Sequence, residues 1–206
     1  MIFNFQLSTF NFLPPLLTLP TAYLAPVSYY VALAHADAAL IDQHQYYVKQ
    51  TWRNRCRIAM PHGAQDLVIP VCAAPPHTPV KDIRLSDHGN WQHHHWSALQ
   101  TAYGKSPFFE YYADDLAPFY QSRRYSFLLD FNQELHILVS NLIDLNTPVR
   151  LADSYLNATF PETAFLAPYY QVFTHRNGFL SNLSIIDLLC NLGPESILYL
   201  NHSLMQ

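Results

Sequence analysis

The sequence predicts an α/β fold in a single domain, with a mixed sheet that opens on a strand-helix-strand unit and a helical cluster in residues 90–145. Three observations predict it. Apolar runs at Leu16–Ala22 and Ala38–Ile41 flank a segment with helical character. From residue 89 onward the apolar residues recur near helical spacing. The chain has 206 residues, 50% hydrophobic and 15% aromatic, which is enough to bury one sizeable core.

The elements follow in order. Leu16–Ala22, bounded by Pro15 and Pro26, reads as a buried strand. Pro26 opens a helix over Val27–Ala36, because a fixed φ and a missing N–H suit a helix start. Ala38–Ile41, ending in Asp42, is the second strand. Ligands of open parallel sheets bind beyond the carboxyl ends of the strands, here near residues 23–25 and 42–47. Arg55–Ala59 alternates polar and apolar side chains, His62-Gly63 is a turn signal and Asp66–Val71 is strand-like, so residues 55–71 predict a hairpin. Helices are expected from Asn90 to Tyr103, from a Ser106 cap with Pro107 at the first position, and over Tyr125–Leu145. A strand at Val149–Leu151, a strand-like Tyr169–Thr174, a helix Ser184–Leu192 closed by Gly193-Pro194 and a last apolar run Ile197–Leu200 complete the pattern.

Charge narrows the function. Only 13% of residues are charged, against roughly a quarter in an average domain, so buried polar groups must lean on Tyr, His, Asn and Gln. A formal net charge of -4 argues against a duplex nucleic-acid binder, which needs a basic face. Three cysteines without CxxC spacing fit reduced thiols in a cytoplasmic protein. No charged residue precedes Asp37, and Pro14-Pro15 break the N-terminal apolar run. Residues 1–13 therefore read as a loose extension of a domain spanning 14–206, with a signal or peripheral anchor as the other reading. No stretch approaches the roughly 20 apolar residues of a membrane-spanning helix.

One cationic cluster stands out. Lys49, Arg53, Arg55 and Arg57 place four of the eleven Lys and Arg residues in nine positions, interleaved with Trp52 and preceded by Tyr46 and Tyr47. Guanidinium forks match carboxylate or phosphate, and the aromatic residues offer stacking faces. Strand alternation predicts that Arg53, Arg55 and Arg57 form a row, either on a solvated hairpin face or, with Lys49, Asn54 and Tyr47, against a ligand. Asp42, at a buried strand end, is a candidate general base or arginine partner. In HGNWQHHHW, consecutive histidines on a helix fan out by about 100° and cannot share one ion, so no metal site is expected. Trp91 and His95 share a face, and His95 is either an acid-base group or a histidine wedged in the core between tryptophans. Cys56 points into the core by the same alternation. Neither a GxGxxG nor a GxxxxGK[ST] phosphate loop is present, nor GxSxG or HExxH.

The segment TAYLAPVSYYVALAHADAALIDQHQYYVKQTWRNRCRI, followed by DLVIPV, by Trp91 with His95-Trp96 and by TAYGKSPFFEYY, resembles the WbqC-like protein family of bacteria. The resemblance covers most of residues 16–145 and is strongest at Lys49 and Arg53-Asn54-Arg55. The ADAALIDQHQYYVKQT type of sequence is similar to members from Bacteroidetes. Val27-Ser28 stand where many members carry Trp-Gly. Other members belong to gene clusters for O-antigen and related polysaccharides, which implies a cytoplasmic group transfer on an activated sugar or its substituent. The expected ligand is a small anion such as a nucleotide sugar or acyl donor, held by Lys49, Arg53 and Arg55, with Asn54, Tyr47 and Trp91 around it and His95 or Asp42 accepting a proton. The alternative is a non-catalytic binding protein that recognises an anionic metabolite or partner peptide through the Lys49–Arg57 edge.

Overall fold

Pro20 and Pro26 bracket the turn that carries the chain from its first strand into its first helix. The computed structural model describes residues 16–161 and 166–203, so the extension expected over residues 1–13 lies outside them. Strand β1 (Leu16–Pro20) runs into helix α1 (Val27–Ala34), and strand β2 (Ala38–Asp42) returns parallel to β1, with Leu16 opposite Ala38 and Pro20 opposite Asp42. Strand β5 (Val149–Leu151) adds to the other side of β2, also parallel, giving the order β1-β2-β5. Strands β3 (Arg55–Met60) and β4 (Gly63–Val68) form a separate antiparallel hairpin. The α/β class is as the sequence predicts, and its two strand directions are sorted into two small sheets.

Period-two alternation governs the hairpin. Cys56 and Ile58 are fully buried, while Arg55 and Arg57 face outward, where Asp66 stands directly across from Arg57. The cluster of helices is α2 (Trp91–Tyr103), α3 (Phe109–Gln121) and α4 (Leu128–Leu142). Short α5 (Thr174–Asn177), α6 (Ile185–Leu192) and α7 (Ser196–His202) close the described chain. Ser184 caps α6 by accepting from the Ile186 amide, as its residue type and position predict.

Three local expectations are corrected. Ser106 does not open α3: its hydroxyl donates to the Tyr103 carbonyl at 2.6 Å, closing the helix before it, and α3 starts at Phe109. Asn90 precedes α2 in a left-handed conformation, φ 48°, and makes no side-chain cap. Tyr169–Thr174 is not a strand. Gln171 there exchanges side-chain hydrogen bonds with both backbone groups of Leu180, which ties the segment to residue 180 through a side chain rather than a strand ladder.

The core is unusually aromatic, and most of its buried polar side chains are uncharged. Tyr23, Tyr30, Tyr103 and Phe131 are among the largest fully buried side chains. Tyr30 is hydrogen-bonded to Nδ1 of His136 at 3.1 Å, and Tyr169 and Gln171 donate to the buried carboxylate of Asp187 at 2.6 and 2.9 Å.

Gly193, at the end of α6, has φ +55°, and a Cβ there would meet the Phe108 ring at 2.5 Å. Gly193→Ala should therefore cost about 2–5 kcal/mol of stability through overpacking and left-handed strain together. Urea unfolding measures this. In a Phe108→Ala background the added cost should shrink to about 1–2 kcal/mol, the backbone part alone.

Candidate functional site at the carboxyl edge of the parallel sheet

Asp42 ends β2 and is wholly buried. Its two oxygens accept from the backbone amides of His44, at 3.1 Å, and Leu156, at 2.8 Å. It thus pins the loop leaving β2 to the loop that follows β5. Gln45, three residues on, is also buried, and its amide faces two ways: Oε1 accepts from an Arg53 terminal nitrogen, and Nε2 donates to the Ala158 carbonyl.

Arg53 is the centre of this region. It sits in a turn just before β3, 8% exposed, with a second terminal nitrogen 3.4 Å from the Thr51 hydroxyl. The Phe160 ring lies over the guanidinium, 5.3 Å from its central carbon to the ring centroid. No ion pair of Arg53 and no partner for its Nε occur among the described residues. Burial opposes the charge and lowers the group's pKa, and the Asp42 carboxylate and Tyr47 act the other way. The backbone carbonyl of Arg53 accepts from Asn132 of α4 at 2.8 Å, and the same Asn132 amide reaches the Thr21 hydroxyl just past β1.

Tyr47 is half-buried, with its phenol raised by burial and drawn back by Arg53. On its other side Tyr47 joins Lys49, Cys72, His77 and Ile83 around a groove of about 440 Å³. The groove is held open by backbone bonds from Tyr47 to Thr78 and Val80 to Gln45, at 2.9 and 2.7 Å. Gln50 and His77 flank it in the left-handed region, φ 58° and 63°, where a side chain costs energy and strain concentrates at functional sites.

The remaining expected residues lie elsewhere. Arg55 and Arg57 share Asp66, at 3.3 and 2.7 Å, and both guanidiniums lie within 6 Å of the Trp52 ring, at 5.6 and 5.8 Å. The ion pair lowers the Asp66 pKa and raises that of Arg57. The three arginines are thus not a row. Asn54 is buried and donates to the Ile69 carbonyl at 2.9 Å, extending the hairpin by one pairing. Trp91 and His95 face the core from α2: His95 Nδ1 is 2.9 Å from the Tyr23 hydroxyl, which is 3.0 Å from that of Tyr120, and the rings of Tyr23 and Trp91 pack on the imidazole. None of the described hydrogen bonds or ion pairs joins His95 to Asp42 or Arg53. Cys56, fully buried on the same core side, has its thiol pushed up by burial, away from a nucleophilic thiolate.

Gln45, Phe160 and Asn132 complete the Arg53 environment and were not singled out by sequence. Gln45 was within reach, because it opens the basic run three residues beyond a strand end. Phe160 and Asn132 carry no signal, since only folding brings them across more than seventy residues to Arg53. Among the described residues no group of His, Cys, Asp and Glu is arranged to hold a metal, and no helix is long and apolar enough to cross a membrane.

The family described as the WbqC-like protein family matches residues 21–166, which include Asp42, Gln45, Arg53, Asn132 and Phe160. This chain belongs to the WbqC-like protein family. An uncharacterized protein of Mycobacterium tuberculosis, Rv1507c, is similar to it, 26% identical over 219 residues that cover 87% of this chain and 94% of that one. No solved structure matches this WbqC-like chain.

The buried acid-base groups of this WbqC-like fold set its pH response. Burial lowers His95 and His136 from 6.5 to about 4, so the unfolded chain takes up those protons first and stability falls as pH drops from 6.5 towards 4. Asp187 is raised by burial from 3.8 to about 6, so the folded chain takes up its proton first and stability gains as pH drops from 6 towards 3.8. Urea unfolding across pH 4–6 should show Asp187→Asn losing stability more steeply than wild type, by about 1.4 kcal/mol per pH unit. His136→Asn should lose it less steeply by a similar amount.

Proposed function

We propose that this WbqC-like protein is a cytoplasmic group transferase acting on an activated sugar or its substituent in bacterial surface-polysaccharide assembly of the O-antigen type. The observation that carries the reading is Arg53, a buried guanidinium without a contacting carboxylate, set at the carboxyl edge of a parallel sheet. Such edges are the usual ligand positions of open α/β sheets. A guanidinium in these surroundings gains from an anion more than an exposed one does, because the local dielectric is low and the fork is already oriented by Gln45 and Thr51.

In this reading Arg53 and Lys49 clamp the phosphate or carboxylate of a donor, and Tyr47, between the Arg53 niche and the open groove, orients the second substrate. Asp42, whose field Arg53 feels, takes the acceptor's proton once the Leu156 amide leaves its carboxylate. Electrostatic stabilisation by the clamp is the main catalytic contribution. Asn54, Trp91 and His95 then act from behind the site, by fixing the hairpin and the Tyr23 layer beneath it.

The second reading, a non-catalytic protein that docks an anionic partner along Lys49–Arg57, loses ground to one observation. Asp66 already pairs with both Arg55 and Arg57, so half of that edge's four cations are engaged within the hairpin.

A thermal-shift screen of nucleotide sugars and acyl donors tests the proposal, because a ligand that binds only the folded state must raise its stability. The expected result is stabilisation by an anionic member. Arg53→Ala should weaken that ligand by about 1.5–3 kcal/mol, the value of hydrogen bonds to a charged group. Arg57→Ala should leave its affinity unchanged. Asp42→Asn should retain binding and lose turnover by about a hundredfold or more. An unaltered affinity in Arg53→Ala sinks the assignment.

A further inference from the structure

Residues 152–161, between β5 and the end of the first described span, have no regular secondary structure and lie across the carboxyl edge of the parallel sheet. Ala152 anchors the near end through its amide to Ile41, at 2.9 Å, and its carbonyl to Gln43, at 2.8 Å. Beyond it, the backbone of residues 153–161 is tied to the rest of the described protein at two points, the Leu156 amide on Asp42 and the Ala158 carbonyl on Gln45. A groove of about 460 Å³ runs beside its outer part, lined by Thr159 and Pro161 together with β1 and the end of α1. Phe160 covers the guanidinium of Arg53.

Beyond Ala152, each backbone tie of this segment ends on a residue of the anion site, and the Phe160 ring packs against Tyr29 as well as Arg53. Asp42 holds Leu156, Gln45 holds Ala158 with the same amide that accepts from Arg53, and Arg53 itself holds the Phe160 ring. The arrangement explains how a guanidinium with an unpartnered Nε is only 8% exposed: the chain supplies an aromatic face where a ligand would supply oxygens. A cation over an aromatic ring is worth less than a charge-assisted fork to an anion, so an incoming anion wins the contact. Once Arg53 turns to the anion, Gln45 loses a partner and its hold on Ala158 weakens.

We infer that residues 152–161 form a strap that occludes Arg53 in the unliganded protein and lifts when an anion takes the guanidinium, with Phe160 as its latch. This rests on the anion site proposed above, and adds that the site is self-closed and that access to it is regulated by the chain itself.

Amide hydrogen exchange on the full chain tests it, with inorganic pyrophosphate as the anionic probe. Removing the latch by Phe160→Ala should speed exchange of the Leu156 amide roughly three- to thirtyfold, the value of one cation–π contact. The Ala39 amide, bonded to the Pro148 carbonyl at 2.9 Å, should be unchanged. Gln45→Ala, which releases Ala158, should do the same, and Phe160→Tyr should keep the wild-type rate. Pyrophosphate should speed Leu156 exchange in wild type and bind Phe160→Ala more tightly by a similar factor. Unchanged Leu156 exchange in both opening variants, or a rise shared by Ala39, overturns the strap. Selective opening by Phe160→Ala without pyrophosphate binding to that variant supports the strap and overturns the anion reading of Arg53.

Discussion

A guanidinium kept charged where water has been largely removed is the constraint around which this region is built. Desolvation alone would push Arg53 outward or demand a carboxylate against it. Neither occurs among the described residues. The charge is instead met by dipoles and a ring: the Gln45 amide, the Thr51 hydroxyl and the Phe160 face, with the field of Asp42 behind them. A directly paired carboxylate would have quenched the fork and left nothing to attract a ligand. Neutral partners hold the fork in position while leaving its charge uncommitted, which is the electrostatic form of preorganisation.

The same economy of charge runs through the core. A chain with 13% charged residues cannot staple its interior with ion pairs. It uses phenol-imidazole pairs, Tyr23 with His95 and Tyr30 with His136, each joining helix to helix or helix to loop over long sequence separations. Burial keeps both imidazoles neutral, drawing them down to about 4. Neutrality also suits the layer beneath the site, because a positive imidazolium behind the hairpin would repel the very cations held in front of it.

The strand-helix-strand opening, the hairpin and the three central helices were legible because period-two and period-3.6 patterns are local. The carboxyl edge was legible too, once two parallel strands and a helix between them were recognised. What failed was tied to partners remote in sequence. Tyr169–Thr174 has the composition of a strand, but among the described residues no neighbouring strand offers it a ladder, and the Gln171 side chain ties it to the backbone of Leu180 instead. Ser106 has the residue type of a cap, yet both its amide and its hydroxyl turn back to the Tyr103 carbonyl of the helix behind it. Trp91 and His95 were correctly seen to share a helical face, and the sequence left open whether that face met ligand or core. It meets Tyr23 and Phe131.

The division of the arginines shows why spacing alone could not define the site. Alternation places residues 55 and 57 on one face, and the hairpin register sets Asp66 opposite Arg57, so both are paired to a single residue of the neighbouring strand. Extrapolating the same parity to residue 53 assumes that the strand continues, and it does not: residues 52–54 form a turn. Free of the pleat, Arg53 swings towards the end of β2, where Asp42 and Gln45 wait, while its carbonyl is fixed by Asn132 from α4. A cation inside the hairpin would have been claimed by the hairpin's own acid. Only one placed just outside it could be delivered, still charged and uncommitted, to the edge of the other sheet.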